Sequence, residues 1–403
     1  MTSVWRSSGW LLLGAALILA LSLGVRHGFG LFLAPMSADF GWGREVFAFA
    51  IALQNLIWGL AQPFAGALAD RYGAARVVSV GGVLYAVGLL LMSFADSALS
   101  LSLSAGLLIG IGLSGTSFSV ILGVVGRALP PEKRSMGMGV AAAAGSFGQF
   151  AMLPGTLGLI GWLGWSAALL ALGLLVALIL PLVLMLKDRP LPTVKGHDQS
   201  LVEALREAAG HSGFWLLALG FFVCGFQVVF IGVHLPSYLV DQHLEPMVGT
   251  TVLALVGLFN IFGTYIAGWL GGRMSKPRLL TALYLLRAVV ITLFVWLPLS
   301  VTSAYLFGIA MGLLWLSTVP LTNGTVATLF GVRNLSMLGG IVFLFHQLGA
   351  FLGGWLGGVV YDHTGSYQLV WQLSILLSLL AAALNWPVRE RPVARLQAQG
   401  GLA

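Results

Sequence analysis

The stretch GALADRYGAAR, residues 66–76, places one Asp and two Arg residues between two long apolar runs. Only 8% of the protein's residues are charged, so a cluster of three is unusual for this chain. The runs on either side, 46–69 and 77–95, are each close to the ~20 residues that cross a bilayer as a helix. The stretch therefore indicates a polar turn at the membrane surface that joins two membrane-spanning helices.

The composition extends this pattern to the whole chain. Of the 403 residues 58% are hydrophobic, and the mean hydropathy is +0.97, whereas roughly a quarter of a soluble protein's residues are charged. Only helices and closed barrels satisfy the backbone in lipid, and these runs are too long for barrel strands. We predict an all-α membrane protein with twelve transmembrane helices in two six-helix halves. The predicted spans are 10–35, 46–69, 77–95, 98–126, 136–160, 163–186, 213–239, 247–271, 278–298, 301–325, 336–361 and 368–387.

Positive charge orients the predicted spans. Cytoplasmic loops collect Lys and Arg, and with the N terminus inside, every Lys and Arg except Arg26, Arg44 and Arg287 falls in a cytoplasmic segment. This accounts for most of the net charge of +7 and gives no reason to expect nucleic-acid binding. We expect an integral protein of the bacterial inner (plasma) membrane with both termini cytoplasmic and its first span retained. The single cysteine, Cys224, excludes an intrachain disulfide.

The longest polar interruption divides the chain. We predict an N-terminal bundle over 1–186, a cytoplasmic central loop over 187–212, a C-terminal bundle over 213–390 and a cytoplasmic tail over 391–403. Within the loop, a serine followed three residues later by a glutamate (Ser200 and Glu203) forms a capping-box pattern, which predicts a short amphipathic helix.

The two halves are related to each other. The stretch 268–278, GWLGGRMSKPR, follows the second span of its half just as 66–76 does, at an offset of 202 residues. At this offset four positions are identical: Gly66 and Gly268, Leu68 and Leu270, Arg71 and Arg273, and Arg76 and Arg278. Internal duplication of six spans is typical of transporters.

The stretch 66–76 resembles the loop motif of the major facilitator superfamily, Gly-x-Leu-x-Asp-Arg-x-Gly-x-x-Arg. The matching residues are Gly66, Leu68, Asp70, Arg71, Gly73 and Arg76. The resemblance implies that family's fold over the full chain and an inner gate formed by Gly66, Asp70, Arg71, Gly73 and Arg76. It also implies that Asp70 lies at the start of the eleventh span, near Arg333. The alternative for Arg71 and Arg76 is that they only anchor the loop to the cytoplasmic side.

Ionisable residues inside the spans are basic or imidazole groups, and the acidic residues fall in loops or at span ends. An arginine at a helix centre costs roughly 2.5–3.5 kcal/mol to insert, which makes a functional role the first hypothesis. The family resemblance implies that the first, fourth, seventh and tenth spans line the transport cavity. We therefore interpret Arg26 as an anchor for a carboxylate substrate, which its planar fork suits. Outer-gate contacts or helix packing is the alternative. For Arg287, in the ninth span, a structural or snorkelling role is favoured.

Further candidate residues for substrate binding are the polar and aromatic side chains of the spans. In the seventh span, Gln227 and His234 share one helical stripe, since seven residues are about two turns. The alternative for the seventh-span stripe is interhelical hydrogen bonding, and for Trp315 it is core packing. Pro320 predicts a break in the tenth span. His234 and His346 are also proton-coupling candidates, because histidine titrates near neutrality. The full set of substrate candidates is Arg26, His27, Gln54, Gln227, His234, Asn260, Trp315, His346 and Gln347.

Two segments resemble the monocarboxylate transporter branch of the superfamily and its oxalate/formate relatives. They are PEKRSMGMGVAAAAGSFGQ (131–149) and GFGLFLAPMSADFGWGR (28–44). The sequence departs from that branch in the first span, where its acidic residue is missing, and in the eighth, where Asn260 replaces its arginine. The resemblance implies proton-coupled symport of a small organic anion, monocarboxylate-like, by alternating access. The alternatives are an exporter of apolar drugs or metabolites and a proton-independent anion exchanger.

Other classes of protein are disfavoured. We find no nucleophile–base–acid set and no metal cluster, so we expect neither an enzyme nor a cofactor. A non-transporting receptor is disfavoured because the only sizeable soluble part is the central loop. The expected partners are the anionic substrate, protons and the lipid bilayer, and we expect the monomer to be the functional unit.

Overall fold

A computed structural model of the protein describes residues 2–42, 44–186 and 199–400. Helices joined by short turns make up this part of the chain. The first half contains α1 (Thr2–His27), a 3₁₀ turn (Gly28–Phe32), α2 (Leu33–Phe40), α3 (Arg44–Tyr72), α4 (Ala74–Ser93), α5 (Ala98–Leu101), a π-helical segment (Ser102–Leu108), α6 (Ile109–Thr116), α7 (Phe118–Ala128), α8 (Pro131–Ala177) and α9 (Ile179–Val183). The second half contains α10 (Leu201–Ala209), α11 (Ser212–Asp241), α12 (Pro246–Gly271), α13 (Lys276–Trp296), α14 (Val301–Leu314), α15 (Thr318–Phe330), α16 (Leu335–Thr364), α17 (Gln368–Asn385) and α18 (Ala394–Gly400).

The predicted all-α architecture of twelve spans agrees with these helices. In the described part of the chain, ten segments are long and apolar enough to cross a membrane. One of them, Pro131–Val183, has 53 residues, or about 80 Å of helix, more than twice the ~30 Å hydrocarbon core. It kinks at Gly164, whose φ of +79° favours glycine, and so supplies two spans. The helix Arg44–Tyr72 supplies the twelfth.

Two spans are interrupted at equivalent places in the two halves. The fourth span breaks at Ser117, which adopts an extended conformation between α6 and α7. The tenth span breaks over 315–317, between α14 and α15. The break expected at Pro320 therefore lies a few residues earlier, because Pro320 sits in the first turn of α15, where proline is tolerated. Each break frees backbone groups that neighbouring side chains must satisfy.

The described residues group into two compact units. One consists of 2–42, 44–130, 144–186 and 333–340, and the other of 131–143, 199–332 and 341–400. Close glycine contacts hold the short inserted segments. In the first unit a Cβ on Gly66 would collide with the Ser336 carbonyl, and in the second Gly139 lies directly against Gly268. Small residues of this kind let helix backbones approach closely in membranes.

The central loop is described only from residue 199 onward, so 187–198 of the predicted loop lies outside the described residues. The predicted capping box is present at the start of α10. The Glu203 amide donates to Ser200 Oγ at 3.2 Å, and the Ser200 amide donates to Glu203 Oε2 at 2.7 Å. This last hydrogen bond favours the ionised carboxylate and lowers the pKa of Glu203 below its ordinary value.

Candidate functional site

A half-buried arginine in the first span forms the centre of a polar cluster in the first unit. Arg26 donates from Nη2 to Asn55 Oδ1 at 2.5 Å. Its guanidinium carbon lies 5.4 Å from the centre of the Trp58 ring, within reach of a cation–π interaction. The Nε atom of Arg26 is buried and has no hydrogen-bond partner. The second span therefore fixes one edge and one face of the guanidinium and leaves a donor available.

The surroundings of Arg26 tie four spans together at the break in the fourth. Ser22, one turn before Arg26, shares a 2.8 Å hydrogen bond with Thr116. Tyr85 donates to the Ser22 carbonyl at 3.1 Å. Trp58 donates from Nε1 to Ser117 Oγ at 2.9 Å, on the break itself. These contacts hold the part of α1 that carries Arg26 in a fixed position.

Two other candidates in the first unit lie apart from this cluster. His27 is exposed, on a different side of α1 from Arg26. Gln54 is fully buried, and its Nε2 donates to the Ala105 carbonyl of the π-helical segment at 2.6 Å. Gln54 thus takes part in packing the second span against the fourth.

The second unit contains a fully buried arginine at its own broken span. Arg287 donates from Nη2 to the Leu314 carbonyl at 2.6 Å and to the Trp315 carbonyl, and from Nη1 to Gln227 Oε1 at 3.2 Å. Gln227 in turn donates to the Ser374 carbonyl at 3.0 Å. Of the structural or snorkelling role expected for Arg287, the structure agrees with the structural one. The guanidinium is fully buried and bonds carbonyls at the break in the tenth span.

Asn260 and Trp315 belong to the same broken span. Asn260 is fully buried, and its Oδ1 accepts a hydrogen bond from the Leu316 amide at 3.0 Å. Trp315 lies in the break and is buried to 8% exposure. The structure therefore brings Gln227, Asn260 and Trp315 together at the break that Arg287 caps.

The two clusters are equivalent under the internal duplication. An offset of 202 residues pairs Ser22 with Cys224, Trp58 with Asn260, Tyr85 with Arg287, and Thr116 with Thr318. The contacts repeat as well as the positions. Ser22 bonds Thr116 and Cys224 lies 3.2 Å from the Thr318 hydroxyl, while Tyr85 contacts Ser22 and Arg287 contacts Cys224 at 3.6 Å. Because the side chains differ, sequence identity alone did not reveal this correspondence.

The histidine candidates of the second unit have different environments. His234 lies with Nε2 2.8 Å from the Gly354 carbonyl and Nδ1 3.3 Å from the Tyr367 hydroxyl. His346 places Nδ1 3.3 Å from Gln347 Oε1, while its Nε2 is buried without a hydrogen-bond partner. The His346 ring stacks on Phe343 with centroids 5.4 Å apart.

The motif 66–76 forms an ion-pair cluster at one end of the first unit. The Asp70 carboxylate pairs with Arg127 at 2.5 Å and accepts hydrogen bonds from the Ser336 amide at 3.2 Å and the Met337 amide at 2.8 Å. These amides belong to the first turn of α16, where the helix dipole favours an anion. Asp70 thus lies at the start of the eleventh span, the position that the resemblance implies.

The remaining motif residues have distinct surroundings. Gly73 has a φ of +91°, a conformation that favours glycine, and forms the turn between α3 and α4. Arg71 and Arg76 are exposed. Arg127, the partner of Asp70, was missed. The duplication contains a signal for this pair. At the offset of 202 residues, Gly272 corresponds to Asp70 and Leu329 to Arg127, so the second half lacks both charges of the pair.

No group of three or more His, Cys, Asp or Glu side chains is arranged to hold a metal ion in the part of the chain that the structure describes. The polar clusters instead consist of single basic groups, amides, hydroxyls and aromatic rings.

Comparison with known proteins gives a consistent result. A family model described as Major Facilitator Superfamily matches residues 12–326. The chain is 25% identical to a protein of Bacillus subtilis (strain 168) described as an uncharacterized MFS-type transporter, YcxA, over 93% of this chain and 94% of that protein. It is 29% identical to human monocarboxylate transporter 11 over 91% of this chain and 80% of that protein. The crystal structure of the E. coli fucose:proton symporter FucP superposes with a TM-score of 0.71 at 16% identity, covering 93% of this chain and 97% of that one, which shows a shared fold.

Proposed function

Since the chain belongs to the major facilitator superfamily, we propose that it is a proton-coupled symporter of a small organic anion of the monocarboxylate type. Its curated relatives are transporters, several of them described as monocarboxylate transporters, which supports this substrate class. Transport would proceed by alternating access. We also propose that both termini lie in the cytoplasm, as the distribution of Lys and Arg indicates.

One observation carries the proposal, namely the unpartnered Nε of Arg26. A guanidinium presents five N–H donors in a fixed fork. Asn55 occupies Nη2 and Trp58 covers one face, but the buried Nε lacks an acceptor. A buried donor without a partner costs about 1–3 kcal/mol, which an arriving carboxylate would relieve. The second span holds the guanidinium in place before the substrate binds, which limits the entropy lost on binding.

Proton coupling is proposed to involve His346, with His234 as second candidate. A carbonyl can only accept, so the proton of neutral His234 is on Nε2, facing Gly354, and its Nδ1 already bonds Tyr367. His346 has an unoccupied, buried Nε2, and a proton there would give an imidazolium stacked on the face of Phe343. A carboxylate on Arg26 and a proton on histidine would together add no net charge to the protein.

Uptake of labelled small monocarboxylates into proteoliposomes, with and without an inward proton gradient, tests this function. A charge-assisted hydrogen bond contributes about 1.5–3 kcal/mol, so Arg26→Ala should raise KM by about 10- to 150-fold. Arg26→Lys should recover only part of this loss, because lysine keeps the charge and lacks the fork. Arg273→Ala, which removes an exposed arginine that stacks on Trp269, is the matched control and should leave uptake unchanged.

The alternatives give different results in the same assay. Uptake that requires internal counter-substrate and ignores the proton gradient would identify an anion exchanger. Absence of monocarboxylate uptake, together with export of an apolar compound that Arg26→Ala leaves unchanged, would identify an exporter of apolar compounds. Gradient-driven uptake that survives in His346→Gln but is lost in His234→Gln would move the proton to His234.

A further inference from the structure

An open groove runs along the outside of the first unit, between α3, α4 and α6, and is not used by the clusters described above. Its volume is about 420 Å³, which is within the usual size range of ligand sites. Its walls are apolar, and Phe64 and Val80 on its rim are 73% and 60% exposed. Its floor is formed where Gly81 on α4 meets Gly115 on α6.

One end of this groove is charged. Arg76, an exposed residue in the first turn of α4, lines the groove together with Tyr72. From Arg76 to Leu84 the groove follows α4 for about 12 Å, less than half of the ~30 Å hydrocarbon core. In the orientation proposed above, the groove would lie mainly within one leaflet, with its arginine at the headgroup level. The exposed Arg71 adds a second positive charge at the same end.

The duplicated half provides an internal comparison. The second unit has a groove at the equivalent place, lined by Ala267, Leu270, Leu279, Leu283, Leu313 and Ser317 among others. The offset of 202 aligns Leu283 with Gly81 and Ser317 with Gly115. Its volume is about 220 Å³, roughly half as large. Its lining residues are uncharged, and Arg278, the counterpart of Arg76, is not among them. The first groove thus combines a larger volume with a positive charge, whereas the second groove is smaller and its lining is uncharged.

We propose that the groove of the first unit binds one acyl chain of an anionic phospholipid, whose phosphate is held by Arg76. An acyl chain matches the long apolar walls, and the glycines of the floor let it lie deep between the helices. Arginine matches the phosphate, because its planar fork can donate two parallel hydrogen bonds to the oxygens. With the orientation proposed above, this lipid belongs to the cytoplasmic leaflet, where anionic lipids are attracted by basic residues at the membrane surface.

Native mass spectrometry of the delipidated protein, titrated with phosphatidylglycerol or with phosphatidylcholine of the same chains, tests the proposal. We expect one phosphatidylglycerol molecule to bind with a preference over phosphatidylcholine. Arg76→Ala should remove most of that preference and weaken phosphatidylglycerol binding about tenfold. Ala61→Phe, which fills the groove from its half-exposed wall, should weaken both lipids equally.

Arg278→Ala is the matched control, because it removes an exposed arginine at the equivalent position of the second half. It should leave the preference unchanged. Equal loss in Arg76→Ala and Arg278→Ala would show general attraction to basic charge and would overturn the proposal. So would binding that is unaffected by Ala61→Phe. If both lipids bind equally well and only Ala61→Phe weakens them, the groove binds acyl chains but Arg76 does not recognise the headgroup. That outcome would also overturn the proposal. The readout is lipid binding, so it does not depend on the transport activity proposed for the protein.

Discussion

Replacing Asp70 by asparagine should open the contact between the motif 66–76 and the start of α16. The Asp70 side chain is 1% exposed and bonds Arg127, the Ser336 amide and the Met337 amide. Asparagine has nearly the same shape and keeps one acceptor oxygen, so the substitution mainly removes the negative charge. Breaking a buried ion pair by removing one partner costs about 3–5 kcal/mol. Loss of the anion at the helix N terminus adds to this cost.

This magnitude fixes the expected shift in population. At 1.36 kcal/mol per factor of ten, a cost of about 3–5 kcal/mol shifts the equilibrium away from the closed contact by about 150- to 5,000-fold. The assay is the rate of maleimide labelling of Met337→Cys in a Cys224→Ser background. Met337 is 3% exposed and Cys224 is the only natural cysteine, so labelling reports only opening of this contact. Asp70→Asn should raise the labelling rate by about two to almost four orders of magnitude, up to the rate of an exposed cysteine at most.

Two comparisons make the result decisive. Asp70→Glu retains the charge and should restore much of the protection, whereas Asp96→Asn removes an exposed carboxylate and should have no effect. If Met337→Cys is labelled at the same slow rate with aspartate and with asparagine at position 70, the charge does not hold the contact. The gate role proposed from the motif would then be refuted, although the packing of Gly66 on Ser336 would remain.

Two further predictions concern the second unit. Arg287→Lys keeps the charge but loses the fork, so at least two hydrogen bonds to carbonyls, worth ~0.6–1.7 kcal/mol each, should disappear. A thermal-shift assay should therefore show a melting temperature that is lower by several degrees. An unchanged melting temperature would contradict the role of Arg287 in capping the break. The pKa of Glu203 is lowered by its bond to the Ser200 amide, so the ionised carboxylate stabilises α10. This stabilisation is fully present above the ordinary glutamate pKa of ~4.3 and is lost as the pH falls below it, through the lowered pKa of Glu203. Hydrogen exchange of residues 201–209, corrected for intrinsic rates, should show protection that falls on acidification in the wild type and a weaker pH dependence in Ser200→Ala.

Most of the fold could be predicted from the sequence, because lipid imposes one simple constraint. Each span must satisfy its own backbone, so length and apolarity locate it. The boundary between the fifth and sixth predicted spans, at 160–163, falls beside the kink at Gly164. The breaks in the fourth and tenth spans were harder to locate. Ser117 is not a helix breaker by type, and the hydrogen bond that its hydroxyl accepts at the break comes from Trp58 in another helix.

The candidate sites were predicted less completely, because hydrogen-bond partners come from distant parts of the chain. Arg26 was identified from its position inside a span, but its partners Asn55 and Trp58 depend on how α1 and α3 are rotated. Apolar helices with polar residues on several faces leave that rotation undetermined from the sequence. The same applies to Arg127, which looked like one more cytoplasmic cation until the structure placed it against Asp70.

The two arginines inside the spans show why position in the sequence could not distinguish a binding group from a structural one. Both cost free energy to insert, and both occur in clusters that the duplication relates to each other. Arg287 is fully buried, and its donors are taken by two carbonyls and an amide oxygen. Arg26 is half-buried and keeps a buried Nε without an acceptor. An arginine whose three nitrogens all have acceptors gains little from an added anion, whereas one with an unpaired buried Nε gains a hydrogen bond. This difference supports the proposal that an anionic substrate binds at Arg26, and a structural role for Arg287.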